Sequence, residues 1–192
     1  MKSILFLDID GVLNHHNWYR SLKAKGLLER NPSWAGDLDP DCVARLNRIC
    51  DQADCEIVVS STWRLMKKRV QLVELLCGAG LRDHHRLIDI TPQLRPNQLS
   101  IPSEGNNVER GFEIALWLEK RGRASNPFAI VDDDPDMWEV KDRLVQTVSE
   151  EGGLTDAIAD RVIEMLARPL SNPVPSVKAL LLPEPKKFDW ER

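Results

Sequence analysis

Five short apolar runs, separated by stretches of helical periodicity, constrain this chain more than any other feature. The first is Ile4-Leu5-Phe6-Leu7, closed at once by Asp8. An unbroken apolar run suits a strand covered on both faces, as in a parallel sheet; a half-exposed strand would alternate. Glu56-Ile57-Val58-Val59-Ser60 repeats the pattern and ends in small polar residues. Arg86-Leu87-Ile88-Asp89-Ile90 is a weaker third run, Phe128-Ala129-Ile130-Val131-Asp132 a fourth, and Leu144-Val145-Gln146-Thr147-Val148 a fifth.

Helical patterns fill the intervals. Pro40 to Asp51 has Pro just inside its start and Val43, Leu46, Ile49 and Cys50 on one stripe. Thr62 to Cys77 carries Leu65, Leu72, Val73, Leu75 and Leu76, with Gly78 and Gly80 as stop signals. Asn107 to Arg121 follows Asn106-x-x-Glu109, which has capping-box spacing. Thr155 to Ala167 offers Ile158, Val162, Ile163 and Leu166. The alternation predicts an α/β fold: a doubly wound, Rossmann-like, mostly parallel five-stranded sheet with helices on both faces. Residues 1–167 read as one domain. Residues 168–192 hold five of the twelve prolines and read as an extended tail packed through Leu180 to Leu182.

Composition excludes several classes. Charged residues make up 29% and hydrophobic ones 42%, an ordinary globular balance. A net charge of −4 argues against a bulk nucleic-acid coater or a polybasic membrane binder. The N-terminal apolar run is too short for a signal peptide or a membrane span. Cys42, Cys50, Cys55 and Cys77 form no CxxC pair and read as small apolar residues in a reducing cytoplasm. The acid excess is uneven. Residues 1–96 hold 14 basic and 12 acidic residues, whereas 97–192 hold 12 and 18, much of that between Asp132 and Glu164.

Open parallel sheets bind ligands beyond the carboxyl ends of their strands. Three of these runs end in reactive or polar groups: Asp8, Ser60 and Asp132. Asp8-Ile9-Asp10-Gly11-Val12 sets two carboxylates two positions apart. One can attack phosphorus to form an acyl phosphate; the other can protonate the leaving oxygen and later take a proton from water. A Ca²⁺ loop is excluded in detail, because Val12 and Leu13 stand where an EF-hand needs a ligand and a glycine. Asp132-Asp133-Asp134-Pro135-Asp136 crowds carboxylates at a strand end, where they repel unless neutralised; with Asp8 nearby this becomes a Mg²⁺ cradle. Taken alone the same run would be an Asp-rich helix start. Ser60, Ser61 and Thr62 can hold phosphoryl oxygens or cap the next helix. Arg110 is the first choice of cation for a phosphoryl group and Arg64 the second.

With these motifs in order, residues 1–167 resemble the haloacid dehalogenase (HAD) superfamily of phosphotransferases. The resemblance implies Asp8 as nucleophile, Asp10 as general acid/base and Ser60 as phosphate anchor. It also implies Mg²⁺ held by Asp8, the Asp10 carbonyl, and Asp132 or Asp133. The family's third motif is usually a lysine, and Arg110 is the best-placed residue here. Val59-Ser60-Ser61-Thr62-Trp63-Arg64, Arg110-Gly111-x-Glu113-Ile114 and Val131-Asp132-Asp133-Asp134 are similar to the HAD domains of multidomain RNA-repair proteins.

The expected function is therefore a Mg²⁺-dependent phosphoric monoester hydrolase. A nucleic-acid end-processing phosphatase or nucleotidase is the narrower alternative, and a non-catalytic binding module the third. Cap insertions fit at 11–39 or 91–105, but neither is long enough for a full cap domain, so an open site suited to a large substrate is expected. Trp18, Tyr19, Arg20 and Trp34 could stack a base or simply hold the long loop down. Lys67, Lys68 and Arg69 read first as a solvated helix face. The pairs His15-His16 and His84-His85 should lie at opposite sheet edges, which argues against a joint metal site. Phe188 and Trp190 give the tail a means of meeting a protein partner.

Overall fold

The computed structural model describes residues 2–27, 37–100 and 108–183. Its centre is a sheet of five parallel strands: β1 (Ile4–Leu7), β2 (Glu56–Val59), β3 (Leu87–Ile90), β4 (Phe128–Asp132) and β5 (Leu144–Gln146). They lie in the order β3-β2-β1-β4-β5. The helices are α1 (His16–Ala24), α2 (Pro40–Ala53), α3 (Arg69–Gly78), α4 (Arg110–Lys120) and α5 (Asp156–Ala167). The family expected from the motifs and the doubly wound architecture agree.

The unbroken apolar runs are explained by burial on both sides. Leu5, Leu7, Ile57, Val59, Ala129 and Val131 face a core shared with α2, α3 and α5. Ile4, Phe6, Val58, Phe128 and Ile130 face a second core under α4. Phe6 anchors that side through edge contacts with Trp117 at 5.5 Å and Phe128 at 5.8 Å.

Strand register builds the functional edge. Leu7 pairs with Val59 on one side and Val131 on the other. The next residues, Asp8, Ser60 and Asp132, therefore emerge side by side. The ladder continues past the strands: Asp8 N donates to Val131 O and Ser60 N to Leu7 O, at 3.0 and 2.9 Å. The chain winds outward from β1 through β2 and β3, then returns to β4 on the opposite flank. The switch point thus falls between β1 and β4, where ligand crevices form.

Local details depart from the sequence expectations. The helix expected over Thr62 to Cys77 is two pieces, a 3-10 turn at Thr62–Leu65 and then α3. Leu65 and Met66 are exposed, so no apolar stripe holds a helix there. The Arg64 guanidinium also occupies the carbonyls of Ser60 and Ser61. Among the helices, α4 starts at Arg110 rather than Asn107. Asn106 and Asn107 lie outside the described residues, and Glu109 accepts from Trp138 N at 2.8 Å. The tail packs through Leu180 to Leu182 as expected: Leu180 and Leu181 lie against a small core, Leu181 bridges Leu99, and Leu182 N donates to Gln98 O at 2.8 Å. Fully buried Val177 adds a second anchor. Glu119 on α4 accepts from Ser176 and from the N–H of Val177. Trp34, Phe188 and Trp190 lie outside the described residues. Cys42, Cys50 and Cys55 are buried as expected of small apolar residues, but Cys77 is exposed. No helix among the described residues is long and apolar enough to cross a membrane.

Gly111 provides a test of this packing. A Cβ there would stand 2.1 Å from Met137 O. A Gly→Ala change inside a helix ordinarily stabilises by about 0.5–1 kcal/mol. Here α4 must press its first turn onto the Met137 backbone, so Gly111→Ala is expected to destabilise by at least about 1 kcal/mol, read by urea denaturation.

Candidate active site

Asp8 closes β1 and is 3% exposed; Asp132 closes β4 and is fully buried. Two carboxylates side by side in a low-dielectric setting repel, and Arg110 answers that repulsion. Its Nη1 lies 2.8 Å from Asp8 Oδ1 and 3.2 Å from Asp132 Oδ2. The same nitrogen donates to Ser60 O at 3.1 Å. Arg110 can reach because the start of α4 is pinned: its own N–H donates to Asp136 Oδ2, and Gly111 N to Asp136 O, each at 3.1 Å.

One cation does not satisfy the cluster. Burial pushes the Asp8 carboxyl upward, with Arg110 and a hydrogen bond from Ser61 opposing it. Burial, then the charge on Asp8, pushes Asp132 up to about 8 against the pull of Arg110. Burial also raises Asp133. Burial disfavours the Arg110 cation, but Asp8 and Asp132 more than offset this and its pKa is raised. Oxygens of Asp8, Asp132 and Asp133 lie within 4.8 Å of one another. Asp132 Oδ2 is buried and aligned with no hydrogen-bond donor among the described residues. A hard divalent cation among three carboxylates suits this donor set, because Mg²⁺ prefers oxygen ligands. Gly11 makes room for the Asp133 carboxylate: at φ +71°, a Cβ there would stand 2.2 Å from Asp133 Oδ2.

The Asp10 side chain stands outside that trio. It is exposed, yet both oxygens are held. Asn14 Nδ2 donates to Oδ1 at 2.7 Å and Trp63 Nε1 donates to Oδ2 at 2.8 Å. Asn14 also accepts from Gly11 N at 3.0 Å, so one amide fixes both the turn and the carboxylate. Neither residue stood out as functional in the sequence. Trp63 entered only as part of the motif Val59-Ser60-Ser61-Thr62-Trp63-Arg64, without a role of its own, and no short-range pattern links positions 10 and 63.

The serine loop divides its tasks, with the cap falling to Ser61. Ser61 hydrogen-bonds Asp8 and caps the following turn by accepting from Trp63 N at 3.4 Å. Ser60 contributes its carbonyl to Arg64 and Arg110, while its buried Oγ has no partner among the described residues. The Arg64 guanidinium is taken up by those carbonyls and by Glu113, with which it forms a close buried ion pair. Glu113 in turn accepts from Leu94 N at 2.8 Å, tying the loops after β2 and β3 to α4.

Other candidates are placed elsewhere. Arg69 donates to Leu87 O, a structural contact. His15 accepts from Trp18 N through Nδ1 and meets Asp39 through Nε2, so both ring nitrogens are engaged. The proximity of Asp39 and Cys42 to it is thereby a capping arrangement. His84 and His85 meet with their rings 3.9 Å apart and tilted by 38° just before β3, at the opposite strand end. Trp18 and Tyr19 lie on α1, and burial, then Asp37 and Asp10, raises the Tyr19 phenol to about 12.

The sequence model of a family described as HAD domain in Swiss Army Knife RNA repair proteins matches residues 4–159. No curated protein and no solved structure matches.

The raised carboxyls predict how stability depends on pH without metal. A carboxyl whose folded pKa exceeds its unfolded value holds its proton more tightly when folded. Its stabilisation is therefore present at low pH and is lost as pH rises toward the folded value. For Asp132 the window runs from about 4, the ordinary carboxyl value, to about 8. In EDTA, denaturation midpoints should fall between pH 5 and 8, Asp132→Asn should flatten that slope, and Mg²⁺ should restore stability at pH 8.

Proposed function

This chain belongs to the HAD domains of Swiss Army Knife RNA repair proteins, and we propose that it is a Mg²⁺-dependent phosphoric monoester hydrolase acting through an aspartyl-phosphate on Asp8. The family itself is of the hydrolase and phosphatase type. The terminal phosphate of a nucleic acid is the substrate this reading favours. The observation that carries it is the meeting of Asp8, Arg110 and Ser61 with a second, separately held carboxylate on Asp10.

In this reading a carboxylate oxygen of Asp8 attacks phosphorus, and the bond from phosphorus to the ester oxygen breaks. Asp10 gives its proton to that leaving oxygen. Asp10 then removes a proton from water as the water attacks the acyl phosphate, which frees phosphate and restores Asp8. Arg110 holds one Asp8 oxygen and offers positive charge to the transferring group. Mg²⁺, held by Asp8, the Asp10 carbonyl, and Asp132 or Asp133, would neutralise the carboxylates and draw charge from the phosphoryl oxygens. Trp63 and Asn14 keep Asp10 aimed where the ester oxygen must lie. Residues 1–167 form the catalytic unit, and 168–192 a tail open to a protein partner.

Phosphate release from end-phosphorylated oligonucleotides, nucleotides and sugar phosphates tests the reading. Asp8→Asn should lower kcat by at least about 10³-fold, and EDTA should abolish turnover. Asp10→Asn should cost about 10²–10⁴-fold. Equal rates for wild type and Asp8→Asn would contradict the mechanism.

Trp63→Phe removes one N–H donor and keeps most of the ring. It should lower kcat by about tenfold, the effect of one lost hydrogen bond to a charged group, with KM little changed. A change in KM alone would assign Trp63 to substrate binding instead.

A further inference from the structure

A depression leads away from the candidate active site along the β3 side. Its nearer part, a cavity of about 330 Å³, is walled by Arg110, Arg64, Leu65, Gln93 and Arg95. Arg64, Leu65 and Gln93 also wall a second cavity of about 680 Å³, which runs on to Thr91, Trp117 and Lys120. The two adjoin through those shared residues. Because β3 is the edge strand, no further strand closes the far side.

The walls are held rather than loose. Thr91 N donates to Val59 O at 3.0 Å, which extends the ladder into the cavity wall. The Arg64–Glu113 pair and the bond from Leu94 N to Glu113 fix the floor between the two parts. On this fixed frame stand polar groups that have no partner among the described residues. Thr91 is 2% exposed and its Oγ1 has no hydrogen-bond partner among the described residues. Burying a hydroxyl unpaired is costly, which points to a ligand that supplies the missing bond. Arg95 and Lys120 are exposed and form no ion pair among the described residues. Leu65, half exposed at 49%, adds an apolar surface beside them.

These features fit one chemistry. Of the residues that would meet the phosphate, Arg110 also walls the nearer cavity, which gives the rest of a long substrate a path into it. A small sugar phosphate would leave Thr91 and Lys120 unmet. A nucleotide chain meets the unpaired groups: backbone phosphates for Arg95 and Lys120, a sugar or base edge for Thr91 and Gln93, and a base face for Leu65. Of the acidic lining, Asp89 is paired with Arg121 and Glu113 with Arg64, while Asp134 and Asp136 lie in the nearer cavity with Arg110. The farther cavity is of a size that holds a nucleotide. Cations unpaired among the described residues, in a chain of net charge −4, make this a local attraction for a polyanion, not a general one.

We propose that this depression binds the nucleotides that adjoin the terminal phosphate of a single-stranded nucleic acid. The proposal rests on the phosphatase reading for the position of that phosphate, but its test does not depend on turnover. The probe is a fluorescein-labelled single-stranded hexanucleotide phosphorylated at its unlabelled end, in both polarities. Its affinity is read by fluorescence anisotropy for Asp8→Asn with Mg²⁺ and for wild type in EDTA. Arg95→Glu and Lys120→Glu should each weaken binding about tenfold and reduce the salt slope by about one. Thr91→Val, which preserves shape, should weaken it several-fold. Arg161→Glu makes the same charge change on α5, across the sheet, and should leave affinity within twofold. Unfolding midpoints establish that each variant is folded. The proposal is overturned if the oligonucleotide does not bind, if the three depression variants bind as tightly as their parent, or if Arg161→Glu weakens binding equally. Turnover of p-nitrophenyl phosphate by wild type, and its loss in Asp8→Asn, tests the phosphatase reading separately.

Discussion

Asp8 and Asp132 stand on adjacent strands, and a single guanidinium lies between them. Parallel register leaves no choice in the matter: once Leu7 pairs with Val131, the two carboxylates emerge together at the same sheet edge. Arg110 offsets their repulsion from the first turn of α4. That turn can approach only because Gly111 lies against the Met137 backbone and Asp136 accepts both N–H groups. The same guanidinium grips the Ser60 carbonyl, and so joins β1, β2, β4 and α4 at one point. With three carboxylates converging and one cation present, the edge is left short of positive charge. That shortage explains at once the raised carboxyls and the suitability of the site for a divalent metal.

Much of this was legible in the sequence because its physical cause is local. Ile4 to Leu7 and Phe128 to Val131 are unbroken apolar runs because both faces of the sheet are covered. Asp8, Asp10 and the Asp132 cluster could be read from their places after those runs. Other features depend on contacts between distant residues. The bond from Trp63 to Asp10 spans fifty-three positions, and no spacing rule announces it. Arg64 read as a cation for substrate, but Glu113 and two carbonyls draw its guanidinium into the floor. The continuous helix expected from Thr62 breaks because Leu65 and Met66 find no core to bury in. In each case tertiary contact overrode a pattern that was locally reasonable.

The acid excess acquires a definite meaning. A net charge of −4 argues against a surface that coats nucleic acid, and the carboxylates at the strand ends account for part of it. Beside them runs a depression carrying Arg95 and Lys120, neither paired among the described residues. Negative charge is therefore gathered where a metal would neutralise it, and two exposed cations stand along the path proposed for a nucleic acid, which Asp134 and Asp136 also line. Glu113 links the two regions: it fixes Arg64 beneath the serine loop and Leu94 on the wall of the depression. A rigid connection of this kind lets contacts made by the body of a substrate help to position its terminal phosphate.

The central claim is that Asp8 becomes covalently phosphorylated during turnover. Acid-quenching the enzyme during hydrolysis of a phosphorylated substrate, then reducing it with borohydride, converts an aspartyl-phosphate to homoserine. Peptide mass spectrometry should find homoserine at position 8, dependent on Mg²⁺ and on substrate. Turnover with position 8 remaining aspartate throughout, or modification at another carboxylate, would contradict the account.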